Sequence, residues 1–230
     1  MQGGRPSGEL AAPQGTPDPE RVTVANEGPL VFLLSPANSG GVRMHLLTRP
    51  QAQIALALQL RSEEGASLGE CFTFASGLYF RGKRLYAQAF ARPPPGTPRG
   101  LVITPGRGLV DLNTRVHPED LRRFAEVPVD PEDARFREPL ERDAAALAER
   151  LGAEGRAVLL GSVATAKYTQ ILVRALGERL LFPAEFVGRG DMSRGGLLLR
   201  AVRAGEELTY LPVAGAVVKG KRPPKLQRRR

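Results

Sequence analysis

Apolar residues in this chain fall into short dense runs, separated by longer stretches in which they recur every three or four positions. "PLVFLLSPA" (29–37) is a continuous apolar run ending in small and polar residues, the pattern of a strand buried on both faces that opens into a loop. "GLVITPGRGLV" (100–110) predicts a second such strand with a Gly-rich exit. "RAVLLGSVATAKYTQILVRALG" (156–177) predicts a strand, a small-residue turn and a helix stopped by Gly177. "RLLFPAEFVG" (179–188) predicts a further strand.

Helical spacing fills the intervals. "TRPQAQIALALQLRSEEG" (48–65) predicts one helix, with Thr48 and Gln51 as a capping box and Pro50 in its first turn. "ECFTFASG" (70–77) reads as strand-like and "GLYFRGKRLYAQAFA" (77–91) as a helix. "HPEDLRRFAEV" (117–127) and "DPEDARFREPLERDAAALAERLG" (130–152) both open on Pro and acidic residues, which the helix dipole favours there. Pro139 is expected to kink or divide the second. "LLLRAVRAGEELTYLPV" (197–213) reads as two runs of a terminal hairpin.

This alternation predicts an α/β fold: a mostly parallel or mixed sheet flanked by helices, closed by a C-terminal antiparallel hairpin. Residues 1–20, rich in Gly, Pro and Ser, are expected to be a disordered arm. Residues 21–217 form a single α/β domain, and 218–230 a basic disordered tail. In such sheets the loops leaving the carboxyl ends of parallel strands gather on one edge, where ligands bind.

Charge changes the picture less than its total suggests. Of the net +9, seven positive charges fall in the last twelve residues and the first twenty carry −2, which leaves +4 for the body. No apolar run approaches the roughly 20 residues of a membrane-spanning helix, and no secretory h-region opens the chain, so a cytoplasmic protein without membrane contact is expected. The lone Cys71, with only His45 and His117, forms neither an internal disulfide nor a zinc site; no metal and no cofactor is expected. Cys71 reads as a small buried hydrophobe. Neither GxxxxGK[ST] nor GxGxxG is present, no GxSxG elbow is expected, and both histidines have local explanations, which disfavours a Ser-His-Asp triad.

What remains is a set of backbone-exposing loops: 35–41, 104–108, 161–166 and 188–196. Their small residues let main-chain N–H groups converge on an anion, and a helix opening at about Thr165 adds its positive end. Ser35, Asn38, Arg107, Ser162, Lys167, Arg189 and Arg194 are the expected nucleic-acid or anion ligands. Tyr79 and Tyr86, interleaved with basic residues, suit stacking on bases. Asp191 and Glu185 are the candidate acid or base residues. Alternatively, Asp191 pairs with Arg189 or Arg194 to hold its loop.

In order along the chain, "LLSPAN" (33–38), "SGLYFRGKRLYA" (76–87), "LVITPGRGLVDLNT" (101–114), "VLLGSVATAKYTQIL" (158–172) and "GDMSRGGLLLR" (190–200) resemble segments of the YaaA-like peroxide-stress proteins and their bacterial relatives. The resemblance spans about residues 29–205, with Thr104-Pro105-Gly106-Arg107-Gly108 where that family has Ser-Gly-Leu-Tyr-Gly. It implies an α/β protein that binds DNA under oxidative stress or in DNA maintenance, and it supplies no catalytic residue. Two functions follow as expectations: nucleic-acid binding through the Gly-rich edge, or a small enzyme acting on a nucleotide, nucleoside or base at the same edge by glycosidic-bond or transferase chemistry.

Overall fold

A computed structural model describes residues 28–163, 166–216, 223, 224 and 226. The arm at 1–20, most of the basic tail and the helix start placed at Thr165 therefore lie outside the described residues.

The strands are β1 (Leu30–Leu34), β2 (Ala66–Ser67), β3 (Gly100–Thr104), β4 (Gly108–Asp111), β5 (Arg115–Val116), β6 (Arg156–Leu160), β7 (Leu180–Pro183) and β8 (Tyr210–Pro212). Six of them make one mixed sheet in the order β4-β3-β1-β6-β7-β8, while β2 and β5 pair in a small ribbon. The inner four run parallel; β4 and β8 are antiparallel edges. Every residue of β1 is buried, because both neighbours pair with it and helices cover both faces. Leu30, Phe32 and Leu34 enter one apolar cluster and Val31 and Leu33 the other, as alternation along a strand requires.

Helices α6 (Ala134–Leu151) and α7 (Ala166–Leu176) cover the second face. The first face carries α3 (Leu68–Ser76), α4 (Leu78–Phe90) and α8 (Asp191–Ala204), extended outward by α1 (Val42–Thr48), α2 (Ala55–Arg61) and α5 (Pro118–Glu126). The α/β class and the mixed sheet are those the alternation predicts.

Four local expectations are corrected. "ECFTFASG" is helix α3, not strand: Leu68, Cys71, Phe72 and Ala75 recur at helical spacing and Ser67 caps it, accepting from the Glu70 N–H. Thr48 ends α1 and does not begin a long helix, because Arg49, ahead of Pro50, is held extended and the next helix waits until Ala55. Pro139 sits inside α6 without dividing it. Residues 197–204 belong to α8, so there is no terminal hairpin; Gly205, at φ +70, ends the helix and returns the chain to β8, which pairs antiparallel with β7.

Helices α4 and α8 cross at close range. A Cβ on Gly82 would stand 2.9 Å from the Gly195 carbonyl oxygen, and one on Gly195 would stand 2.8 Å from the Tyr79 Cα. Backbone meets backbone there, with no flexible side chain to move aside. Gly195→Ala is therefore expected to cost about 1–3 kcal/mol of stability through helix displacement, read as a lower urea midpoint with an unchanged slope.

Candidate active site

Because β1, β3, β6 and β7 run parallel, the loops that follow them all leave on one side of the sheet. The chain goes from β1 to β3 on one flank and from β6 to β7 on the other, so the adjacent strands β1 and β6 form a topological switch point. A cleft of about 590 Å³ opens there. Ser35 and Asn38 line it from the loop after β1, Ser162 from the loop after β6, Lys167 and Tyr168 from α7, Tyr79 and Lys83 from α4, and Asp191 from the start of α8.

At its floor lies Lys83, only 1% exposed. Its Nζ is 2.8 Å from the Ser35 carbonyl oxygen and 2.8 Å from Ser35 Oγ, and it sits over the Tyr79 ring, 4.2 Å from the centroid. No carboxylate among the described residues reaches it at ion-pair distance. Burial pulls its pKa down to about 7, against the pull of Asp191 upward, with Arg194 adding a smaller push downward. A lysine amine is thus held at the edge of neutrality beside a serine hydroxyl.

Tyr168 completes the group. The Ser162 N–H donates to its hydroxyl at 3.2 Å, and Ser35 lies near enough to act on that hydroxyl. Burial raises its pKa, so the phenol stays protonated. The close fit depends on Gly161, where a Cβ would come within 2.9 Å of Ser35 Cβ and 3.0 Å of the Tyr168 hydroxyl. Tyr79, 5% exposed, is likewise held protonated by burial; its hydroxyl makes no hydrogen bond of good geometry, although Arg194 lies near enough to act on it.

Of the residues expected from sequence, Ser35, Asn38, Ser162, Lys167, Tyr79 and Asp191 come together here. The rest go elsewhere. Arg194 turns inward, donating to the Phe186 carbonyl at 3.1 and 3.3 Å and lying over the Phe186 ring, with Asp191 at 3.8 Å. Arg189 donates to the carbonyls of Glu185 and Pro224 and to Ser193 Oγ. Arg107, in the tight β3–β4 turn, pairs with Asp120 at 3.2 Å. Glu185 stands outside the cleft, accepting from the Thr209 N–H. Tyr86 is no stacking surface: it is fully buried, its hydroxyl 2.7 Å from that of Tyr210 and accepting from the Leu208 N–H. Tyr79 reaches the cleft, but Lys83 already occupies one face of its ring.

A larger cavity, about 890 Å³, lies between α5 and α6, yet its charges are on surface side chains such as the Arg107–Asp120 pair and it holds no buried titratable group. Gly65-Ala66-Ser67-Leu68-Gly69 spells GxSxG, but Ser67 has ordinary extended dihedrals and spends its hydroxyl on Glu70 as a helix cap, so it is not a nucleophile elbow. Cys71 is buried and its thiol is pushed up to about 12 by that burial. Among the described residues no cluster of three or more His, Cys, Asp or Glu stands ready for a metal, and no helix is long and apolar enough to cross a membrane.

Sequence reasoning missed Lys83 and Tyr168. Lys83 carried a signal: it shares the apolar stripe of α4 with Tyr79, Phe80, Tyr86 and Ala87, where a charge has no solvated place. Comparison of the chain with protein-family models, with curated proteins and with solved structures finds no match in any of the three.

The Lys83 amine makes stability depend on pH. Folded, it loses its proton near pH 7; unfolded, near the ordinary 10.5, so between these values the unfolded chain binds a proton that the folded one lacks and stability rises with pH. Relative to Lys83→Met, the wild type is expected to gain about 2 kcal/mol between roughly pH 7.5 and pH 9.5, measured by urea unfolding of both proteins. A flat difference would show the amine charged throughout.

Proposed function

We propose that this chain is an enzyme acting on a small anionic substrate of nucleotide, nucleoside or base size, bound in the switch-point cleft with Lys83 as general base. One observation carries the reading: a lysine buried without a carboxylate partner, at the floor of an open polar cleft. A purely structural lysine in that place would cost desolvation that a methionine of similar volume avoids. A base works best with a pKa near the working pH, which is where burial puts this amine.

Support comes also from what surrounds it. Lys167 is exposed in the first turn of α7 and faces the cleft, a place for a phosphate or carboxylate of the substrate. Asn38 and Ser162 add polar contacts on either side of Ser35. Asp191, largely exposed at the mouth, acts by its charge on Lys83 and not as the base itself. The DNA-binding reading, by contrast, loses Arg107, Arg189 and Arg194 to internal partners; among the cations named for it, Lys167 alone faces the cleft.

A thermal-shift and calorimetric screen of nucleosides, bases and nucleoside phosphates is expected to find a ligand whose affinity drops about tenfold or more in Lys167→Ala. In Lys83→Met that ligand still binds and its turnover is lost. With a turned-over ligand in hand, Asp191→Asn is expected to move the acid limb of the pH–rate profile to lower pH, since it removes the charge that favours the Lys83 ammonium. Failure of every small ligand, together with salt-dependent DNA binding that Lys167→Ala weakens, would replace the enzyme by a nucleic-acid binder.

A further inference from the structure

Ser35 is the residue of the cleft that Lys83 touches twice. A neutral amine has two N–H donors and one lone pair. As the ammonium, Lys83 donates to both the Ser35 carbonyl oxygen and Ser35 Oγ, each at 2.8 Å; as the neutral amine it keeps an N–H for the carbonyl and turns its lone pair to the hydroxyl proton of the same residue. With Lys83 as the ammonium, that proton goes to the Leu160 carbonyl at the longer distance of 3.4 Å, and the Tyr168 hydroxyl also lies beside Ser35. Ser35 directly follows the central strand and lines the cleft, so its Oγ is held in place and faces the cleft. This is a nucleophile within hydrogen-bond reach of its base, with the base held by packing.

We propose that Ser35 is a nucleophile and Lys83 the base that takes its proton, so that the cleft transfers the acyl group of an ester or amide substrate through an intermediate bound to Ser35. The inference rests on the reading of the cleft as an active site and narrows its substrate to one that carries an acyl group, such as an acylated nucleoside or nucleotide. In the first step the Ser35 Oγ–H proton passes to Lys83 Nζ as Oγ bonds the substrate carbonyl carbon, and the carbonyl π pair moves onto its oxygen. In the second, that pair returns, the bond to the leaving alkoxide or amine breaks, and the leaving group takes the proton from the Lys83 ammonium. Water then repeats both steps on the acyl-serine and releases the carboxylic acid. The Tyr168 hydroxyl, which already accepts from the Ser162 N–H and stays protonated, is a donor beside the oxygen that becomes negative.

The charged and titratable groups around the amine set its pH dependence: Tyr79 on α4, Lys167 and Tyr168 on α7, and Asp191 and Arg194 on α8. Deprotonation of Lys83 around neutrality is therefore the step that switches Ser35 on.

The test is reaction of the full chain with p-nitrophenyl acetate, followed by p-nitrophenol release, intact mass and peptide mapping. One acetyl group on Ser35 is expected, with a rate that rises through about pH 7. Ser35→Ala and Lys83→Met should each slow labelling at least a hundredfold, and Ser35→Cys should retain an adduct at the same position. The wild-type pH profile and the Ser35→Cys adduct keep the proposal testable if Lys83→Met fails to fold. An acetyl group on Lys83 or on surface lysines alone, or a Ser35 rate that ignores Lys83, would overturn it. If Ser35 stays unlabelled while small-ligand turnover still depends on Lys83, the nucleophile is refuted and the enzyme reading survives; loss of both refutes both.

Discussion

The close crossing of α4 and α8 is the constraint on which the candidate site depends. Two glycines bring the helix backbones together at Gly82 and Gly195, and Lys83, the neighbour of the first, has no route to water on that side. Among the described residues its hydrogen-bond partner is Ser35, just after the central strand. The crossing also sets Asp191 and Arg194 near enough to bias the amine in opposite directions. Helix packing, sheet topology and the protonation of one amine are therefore a single arrangement.

The strands of the inner sheet were legible because each is a short apolar run with a polar exit, a pattern that survives any tertiary context. The gathering of loops on one edge followed from the alternation alone. Errors arose where a local rule met a competing one. "ECFTFASG" has β-branched and aromatic letters but helical spacing, and spacing won because the segment buries one face against its helical neighbours, with Phe72 edge-on to Phe80 and Phe124. "LLLRAVRA" was too apolar to betray a helix end, although Gly205 marks its stop.

Within the site, the small polar residues of the loops were legible, since glycine-rich exits from parallel strands have one place to go. The cations were not. Arginine letters next to glycines fit an anion, yet Arg189 and Arg194 use their planar donors on backbone carbonyls left open by the turn after β7. The segment 182–200 thus holds its own shape with its charges and offers Asp191 to the cleft. Lys83 escapes a reading by composition because its stretch is rich in basic residues, while the apolar stripe on which it falls shows only in the helical spacing.

The central position of β1 sets an order of assembly. Phe32 stands opposite Gly100 on one side and Val158 on the other, and the Ser35 hydroxyl bonds a carbonyl 125 residues further on. A chain growing from its N-terminus holds this wholly apolar strand without its second neighbour until β6 has been made. Such distant pairings slow folding and expose a sticky surface meanwhile, a demand on chaperones more than on stability. They also mean that an incomplete chain carries Ser35 without Tyr168 or Asp191, so the walls of the cleft come together only once α8 has been made.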